Sequence, residues 1–220
     1  DNVNAQVTKV TSIQTTYTDD KQATISADVV EKLKSMEKPV DLEVSKLNTD
    51  NTVTYTWKMK ADSIENIADA EVIDINTKVE VKESATNPND EKTINELAKK
   101  DNNVEIKKQV VEFAHNGKLP EKTEVTVAVD PALNGKTVYY FHFDKANNEL
   151  VYTGKADVVD GYVTMVLNHC SDYVMFDKNV CSHPDPEITG AKAPTCTEDG
   201  YSGDKVCKTC GDTIETGETI

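Results

Sequence analysis

Apolar positions along this chain recur mostly with a period of two. In residues 52–60, TVTYTWKMK, Val53, Tyr55, Trp57 and Met59 take one face while Thr54, Thr56, Lys58 and Lys60 take the other. That is the pattern of a half-buried strand, with Trp57 as a core residue. Val40, Leu42 and Val44 alternate through PVDLEVSKL, and EVIDINTKVEVKE alternates as well. A looser, threonine-rich alternation at Val7, Val10 and Ile13 predicts one strand in residues 1–20, followed by a loop at YTDDKQ. From residue 104 onward, strands are predicted at 104–113, 123–130, 136–143, 149–154, 158–167 and 172–177. The turn signals HNGKLP, DPALNG, DKANNE and VDGY punctuate them, because Gly, Asn, Asp and Pro supply the dihedrals that tight turns need. Many short strands at this spacing predict a β-sandwich or barrel.

Two stretches follow the helical period instead. In SADVVEKLKSMEK, Ser26 is placed to cap free N–H groups, and Val29, Val30, Leu33 and Met36 fall on one face, with Pro39 as the stop. NPNDEKTINELAKKDN predicts a second short helix, capped near Asn89 or Asp90 and carrying Ile94 and Leu97. Around Asn179 the pattern breaks. Residues 181–220 have few large apolar side chains, much Gly, Thr, Asp and Pro, and four of the chain's five cysteines. Forty such residues cannot bury enough apolar area, so they need a covalent or metal cross-link or a neighbour to dock on. The expected fold is mostly β. A sandwich-like body spans 1–178, with two short helices and sub-lobes 1–103 and 104–178, and a Cys-rich appendage spans 179–220.

Charge and composition narrow the partners. The net charge is −15, and every one of the 24 basic residues is lysine. Such a surface repels phosphate, so nucleic acid and anionic membranes are poor partners. Without guanidinium forks, bidentate recognition of carboxylate or phosphate is also unavailable. No stretch approaches the roughly 20 apolar residues of a membrane span. The chain opens without Met and its end carries no natural stop, so a piece of something longer is expected.

The catalytic residue types in NHCSDY (His169, Cys170, Ser171, Asp172) do not make an expected active site. A nucleophile and its base must converge, whereas neighbours on a strand point to opposite faces. Cys170 is read as a small buried apolar group, and His169 or Ser171 as bonded to local backbone. There is no GxSxG elbow, phosphate-binding Gly loop or HExxH motif, and DKANNE is a hairpin turn, too short for a calcium loop. No catalytic or cofactor-binding residue is predicted, and the chain is read as no enzyme.

The Cys-rich end carries the candidate chemistry. Cys207 and Cys210 form a CxxC knuckle in CKTCG, Cys181 and His183 lie two residues apart in CSH, and Cys196 stands alone. All five side chains are candidate ligands of a structural zinc, which takes four N or S donors, often from two short loops. The other chemistry is two disulfides, with Cys181 and Cys196 each bridged to one knuckle cysteine. A Cys207–Cys210 bridge would close too small a loop to stabilise much.

Three stretches together resemble a β-rich module of large surface and secreted proteins of gut Firmicutes. They are TWKMKADSI, VVEFAHNGKLPEKTEVTVAVD and the run from KTVYYFHFD to the closing HCSDYV. Phe113, His115, Gly117, Leu119 and Pro120 match the module's F-x-H-x-G-x-LP stretch. CSHPDPEITGAKAPTCTEDGYSGDKVCKTCG resembles a Cys-rich repeat placed near the C-termini of such proteins. The resemblance covers roughly residues 22–220. It implies an extracellular multi-domain protein, attached to the cell wall or part of a cellulosome-like or adhesive assembly. Its expected partners are neighbouring domains of the same polypeptide, or a host or glycan ligand. An anaerobic habitat weakens the default that secreted cysteines are oxidised, which leaves zinc and disulfides level. The expected role is a non-catalytic spacer or interaction module. The alternative is an adhesin for host glycoprotein, immunoglobulin or polysaccharide, with Tyr139, Tyr140, Tyr152 and Tyr162 the only aromatic suppliers of a binding row.

Overall fold

The computed structural model describes residues 12–17, 24–68, 73–74, 79–99, 106–114 and 117–220. In chain order the strands and helices are β1 (Ser12–Tyr17), β2 (Thr24–Ile25), α1 (Ala27–Lys34), β3 (Asp41–Leu47), β4 (Val53–Met59), α2 (Ala61–Glu65), β5 (Ile73–Asp74), β6 (Val79–Lys82), α3 (Pro88–Ala98), β7 (Lys108–Phe113), β8 (Gly117–Ala128), β9 (Thr137–Asp144), β10 (Glu149–Asp157), β11 (Tyr162–Cys170), β12 (Tyr173–Phe176), β13 (Pro186–Thr189), β14 (Asp204–Cys207) and β15 (Thr213–Glu215). Two five-stranded sheets form the body. One runs β1-β3-β4-β8-β11 and the other β10-β9-β12-β7-β6. Only the β1–β3 pair in these two sheets is parallel among the described pairings. Each sheet draws strands from both sides of residue 104, so the described parts of 1–103 and 104–178 share one core.

That core lies between the sheets. Leu42, Val44, Trp57 and Val125 of the first sheet meet Val111, Phe113, Val138 and Tyr173 of the second. Trp57 is fully buried, with its ring 5.8 Å from that of Phe113, and its indole N–H has no hydrogen-bond partner. α1 and α2 join the same core through Val30, Leu33 and Ile64. The second sheet also has a covered outer face. Val110, Phe141, Phe143, Val174 and Phe176 pack there against Ile94 and Ala98 of α3. β12 shows the consequence: all four of its residues are buried, two toward each face.

The expected elements differ from the observed ones in physical detail. Val29 and Met36 are exposed, so only Val30 and Leu33 of α1 face the core. Ser26 occupies the N-cap without a side-chain cap bond. α1 stops at Lys34, well before Pro39. α3 starts earlier than expected: Asn87 is the cap, its side chain accepts from the Asn89 N–H, and Pro88 takes the first helical position, where a missing N–H costs nothing. α2 is a third helix that no sequence period announced, since five residues are too few to show one. Val7, Val10 and the YTDDKQ loop beyond Tyr17 lie outside the described residues. DKANNE is the β9–β10 turn, in which Asp144 Oδ1 accepts from the N–H groups of Ala146 and Asn147. VDGY is a two-residue turn with Asp160 and Gly161 both at positive φ, the combination that matches strand twist. No helix among the described residues is long and apolar enough to cross a membrane.

Candidate metal centre

β12 hands the chain to the Cys-rich end, which folds as a three-stranded sheet, β13-β14-β15. Its side chains are mostly exposed. Asp204, Lys205 and Val206 of β14 are half-buried, and Cys207 and Cys210 are buried. Cys207 closes β14, and the chain reverses through Lys208–Cys210 into Gly211 at φ 77°. That left-handed position suits glycine. The Gly211 N–H donates to the Cys207 carbonyl at 2.8 Å, and the Cys207 N–H donates to the Asp212 carbonyl at 2.9 Å. The knuckle is therefore the β14–β15 turn, held by backbone bonds that aim both thiols to one side.

The second pair of donors comes from the segment before β13. Cys181 and His183 are two residues apart, and His183 adopts φ 50°. That kink lets both side chains face the knuckle. The His183 N–H points at Cys181 Sγ, 3.4 Å away, and His183 Nδ1 lies 3.3 Å from Cys210 Sγ. Asn179 ties the segment down, accepting from the Cys181 N–H at 3.0 Å and donating to Asp212 Oδ2 at 2.6 Å. The ligand atoms of Cys181, His183, Cys207 and Cys210 all lie within 4.8 Å of one another. Four donors around zinc stand about 3.8 Å apart at a zinc–sulfur distance of about 2.3 Å. The cluster therefore needs only a small contraction to close on an ion. Three thiols and one imidazole suit zinc, and four protein donors leave no open position for water, as in a structural site.

Cys196 is not part of this cluster. Pro186 pairs with Cys207 at one end of the β13–β14 hairpin and Thr189 with Asp204 at the other. Cys196 lies in the exposed loop beyond the Thr189 end, roughly 10 Å of strand away. All five cysteines are unbridged, so the alternative of Cys181 and Cys196 each bridged to a knuckle cysteine is not what the structure shows.

The electrostatics of the pair of loops are uneven. Burial, reinforced by the nearby Cys210 and Cys207 thiols, pushes the Cys181 thiol up to about 11. Burial also acts against the Cys207 thiolate, but hydrogen bonds from the Cys210 backbone, the His183 and Cys210 side chains and the Thr209 backbone outweigh it and bring Cys207 down to about 6. Tyr152 on β10 faces this end of the molecule. Burial first, and then the Cys210 and Asp212 charges, push its hydroxyl up to about 12.

The NHCSDY residues are dispersed. Cys170 is buried in the main core, while His169 beside it is exposed. Ser171 bonds a side chain and not local backbone: its hydroxyl shares a 2.9 Å hydrogen bond with His142 Nε2 on β9. The His169 carbonyl accepts from the Tyr173 hydroxyl at 3.0 Å. Asp172 holds Lys145 at 2.6 Å. The Ser171–His142 contact could not be read from the sequence, because it joins residues 29 apart, one in the β11–β12 connection and one on β9. Asn179 and Asp212 were missed for the same reason. The four tyrosines do not make a row. Tyr140 is buried, Tyr139 and Tyr152 pack on the second core, and only Tyr162 is exposed.

Comparison with known protein families, with characterised proteins and with solved structures finds no match. The centre is therefore read from its own donors.

Proposed function

We propose that residues 179–220 are a structural zinc module and that the chain is a non-catalytic spacer or interaction module of a bacterial extracellular protein. The convergence of Cys181, His183, Cys207 and Cys210 carries the metal reading. A sheet with so little buried apolar area gains its stability from such a cross-link, because metal binding and folding are one free energy there. The resemblance to surface modules of gut Firmicutes supports the wider role. In that role the sandwich gives rigidity, the stapled end caps it against proteases, and the partners are neighbouring domains of the same polypeptide. The adhesin alternative ranks second, since a planar row of exposed aromatics would favour it and, of Tyr139, Tyr140, Tyr152 and Tyr162, Tyr162 alone is exposed.

Intact mass of the reduced-lysate protein, taken without added reductant, tests the metal reading. The expected native mass includes one zinc per chain, and denaturation should expose all five thiols. A native mass without metal, lowered by two hydrogens for each disulfide, would contradict it.

A further inference from the structure

The four donors are divided between two bodies. Cys181 and His183 belong to the segment that leaves β12, where Val180 and Cys181 pack against the second core of the sandwich. Cys207 and Cys210 belong to the β14–β15 turn of the terminal sheet. Among the described residues, no strand of that sheet pairs with a strand of the sandwich. The bond from Asn179 to Asp212 links the departing segment to the sheet. Beside it lies a cleft of about 310 Å³, with Leu97, Phe141, Leu150 and Tyr152 on the sandwich side and Pro184 and Thr209 opposite. Two bodies joined by a short segment, with a cleft between them, move relative to one another unless their contact is large and apolar.

We infer that a metal held by both donor pairs is the joint that fixes the terminal sheet on the sandwich, so that losing it frees the sheet and opens the cleft over Tyr152. This rests on the metal reading above. The physical reason is loop closure. With metal bound, the segment from Cys181 to Cys207 is tied at both ends, so the sheet cannot swing without breaking a metal–ligand bond. Without metal, the departing segment is held to the sheet by hydrogen bonds, from Asn179 to Asp212, from the Lys208 N–H to the Asp185 carbonyl and between His183 and Cys210, and by the register of β13. The joint thus couples metal availability to the orientation of whatever follows the sandwich.

Amide ¹⁵N relaxation on the full, reduced chain tests this, with metal content measured on the same samples. In the zinc-loaded protein, amides of 186–215 should tumble with the correlation time of β7–β12. After chelation they should tumble faster or collapse to random-coil shifts, and amide exchange there should rise about tenfold or more. Asn179→Ala, loaded with zinc, should keep the common correlation time. One zinc per chain with a terminal sheet that moves with the sandwich equally well in its absence would overturn the joint and leave the metal site standing. Independent tumbling of zinc-loaded Asn179→Ala would overturn it too, by making the hydrogen bond the joint. Failure of the reduced chain to take up zinc would remove the metal reading itself.

Discussion

Gly154 on β10 sits over the ring of Tyr140. A Cβ at that position would meet the Tyr140 hydroxyl at 2.5 Å and its Cζ at 2.6 Å. The hydroxyl is fixed because it accepts the Val166 N–H at 3.1 Å, bolting the second sheet to edge strand β11 of the first. Gly154→Ala should cost about 1–3 kcal/mol through overpacking, and Tyr140→Phe about 1 kcal/mol through the lost hydrogen bond. Urea midpoints read both, and an unchanged midpoint for Gly154→Ala would refute the bolt. His142 gives a pH signature. Burial first, and then the electrostatic effect of the neighbouring His169, whose ring lies 4.8 Å away, hold His142 below its ordinary 6.5. The unfolded chain therefore takes the proton first. This contribution is whole above about pH 6.5 and is lost as pH falls through the depressed value. His142→Gln should flatten the fall in melting temperature as pH drops below about 6.5, and an unaltered slope would contradict this. At this scale the sequence was informative where strand alternation decides a residue's side, as for Trp57 and Cys170. It was silent where a partner comes from a distant part of the chain, as for Ser171 and His142.

Among the elements, α3 has the clearest work. It lays Ile94, fully buried, onto Phe141, Val174 and Phe176, and so shields the outer face of the second sheet. Ile94→Ala should cost about 2–5 kcal/mol. Asn87→Ala, which removes the cap, should cost about 1 kcal/mol. Chemical denaturation distinguishes them, and a larger loss for Asn87→Ala would mean that α3 is held by its end and not by its face. The strands of the body were legible because their inner faces are apolar and their turns carry Gly, Asn, Asp or Pro. β13, β14 and β15 were not, since almost none of their side chains are buried and alternation has nothing to mark. The same exposure made the need for a cross-link legible from composition alone. Which donors would meet was only half legible: the CxxC and CxH spacings bring four together, but the hairpin register that excludes Cys196 is a property of the folded sheet.

For the whole molecule, the centre makes a linkage prediction. Ligand thiols must lose their protons to bind metal. In the metal-free chain Cys207, at about 6, is already largely thiolate at pH 7, whereas Cys181, at about 11, is still protonated. Zinc uptake at pH 7 should therefore release a proton from Cys181, and affinity should rise with pH. Calorimetric titration in two buffers of different ionisation heat reads that release, and identical heats would contradict it. The most direct test of the central claim is zinc K-edge absorption on the zinc-loaded chain, alongside Cys196→Ser. Three sulfurs at about 2.3 Å and one nitrogen at about 2.0 Å, unchanged in Cys196→Ser, are the predicted shell. Four sulfurs, with a shell altered by Cys196→Ser, would put Cys196 in place of His183 and contradict the centre described above.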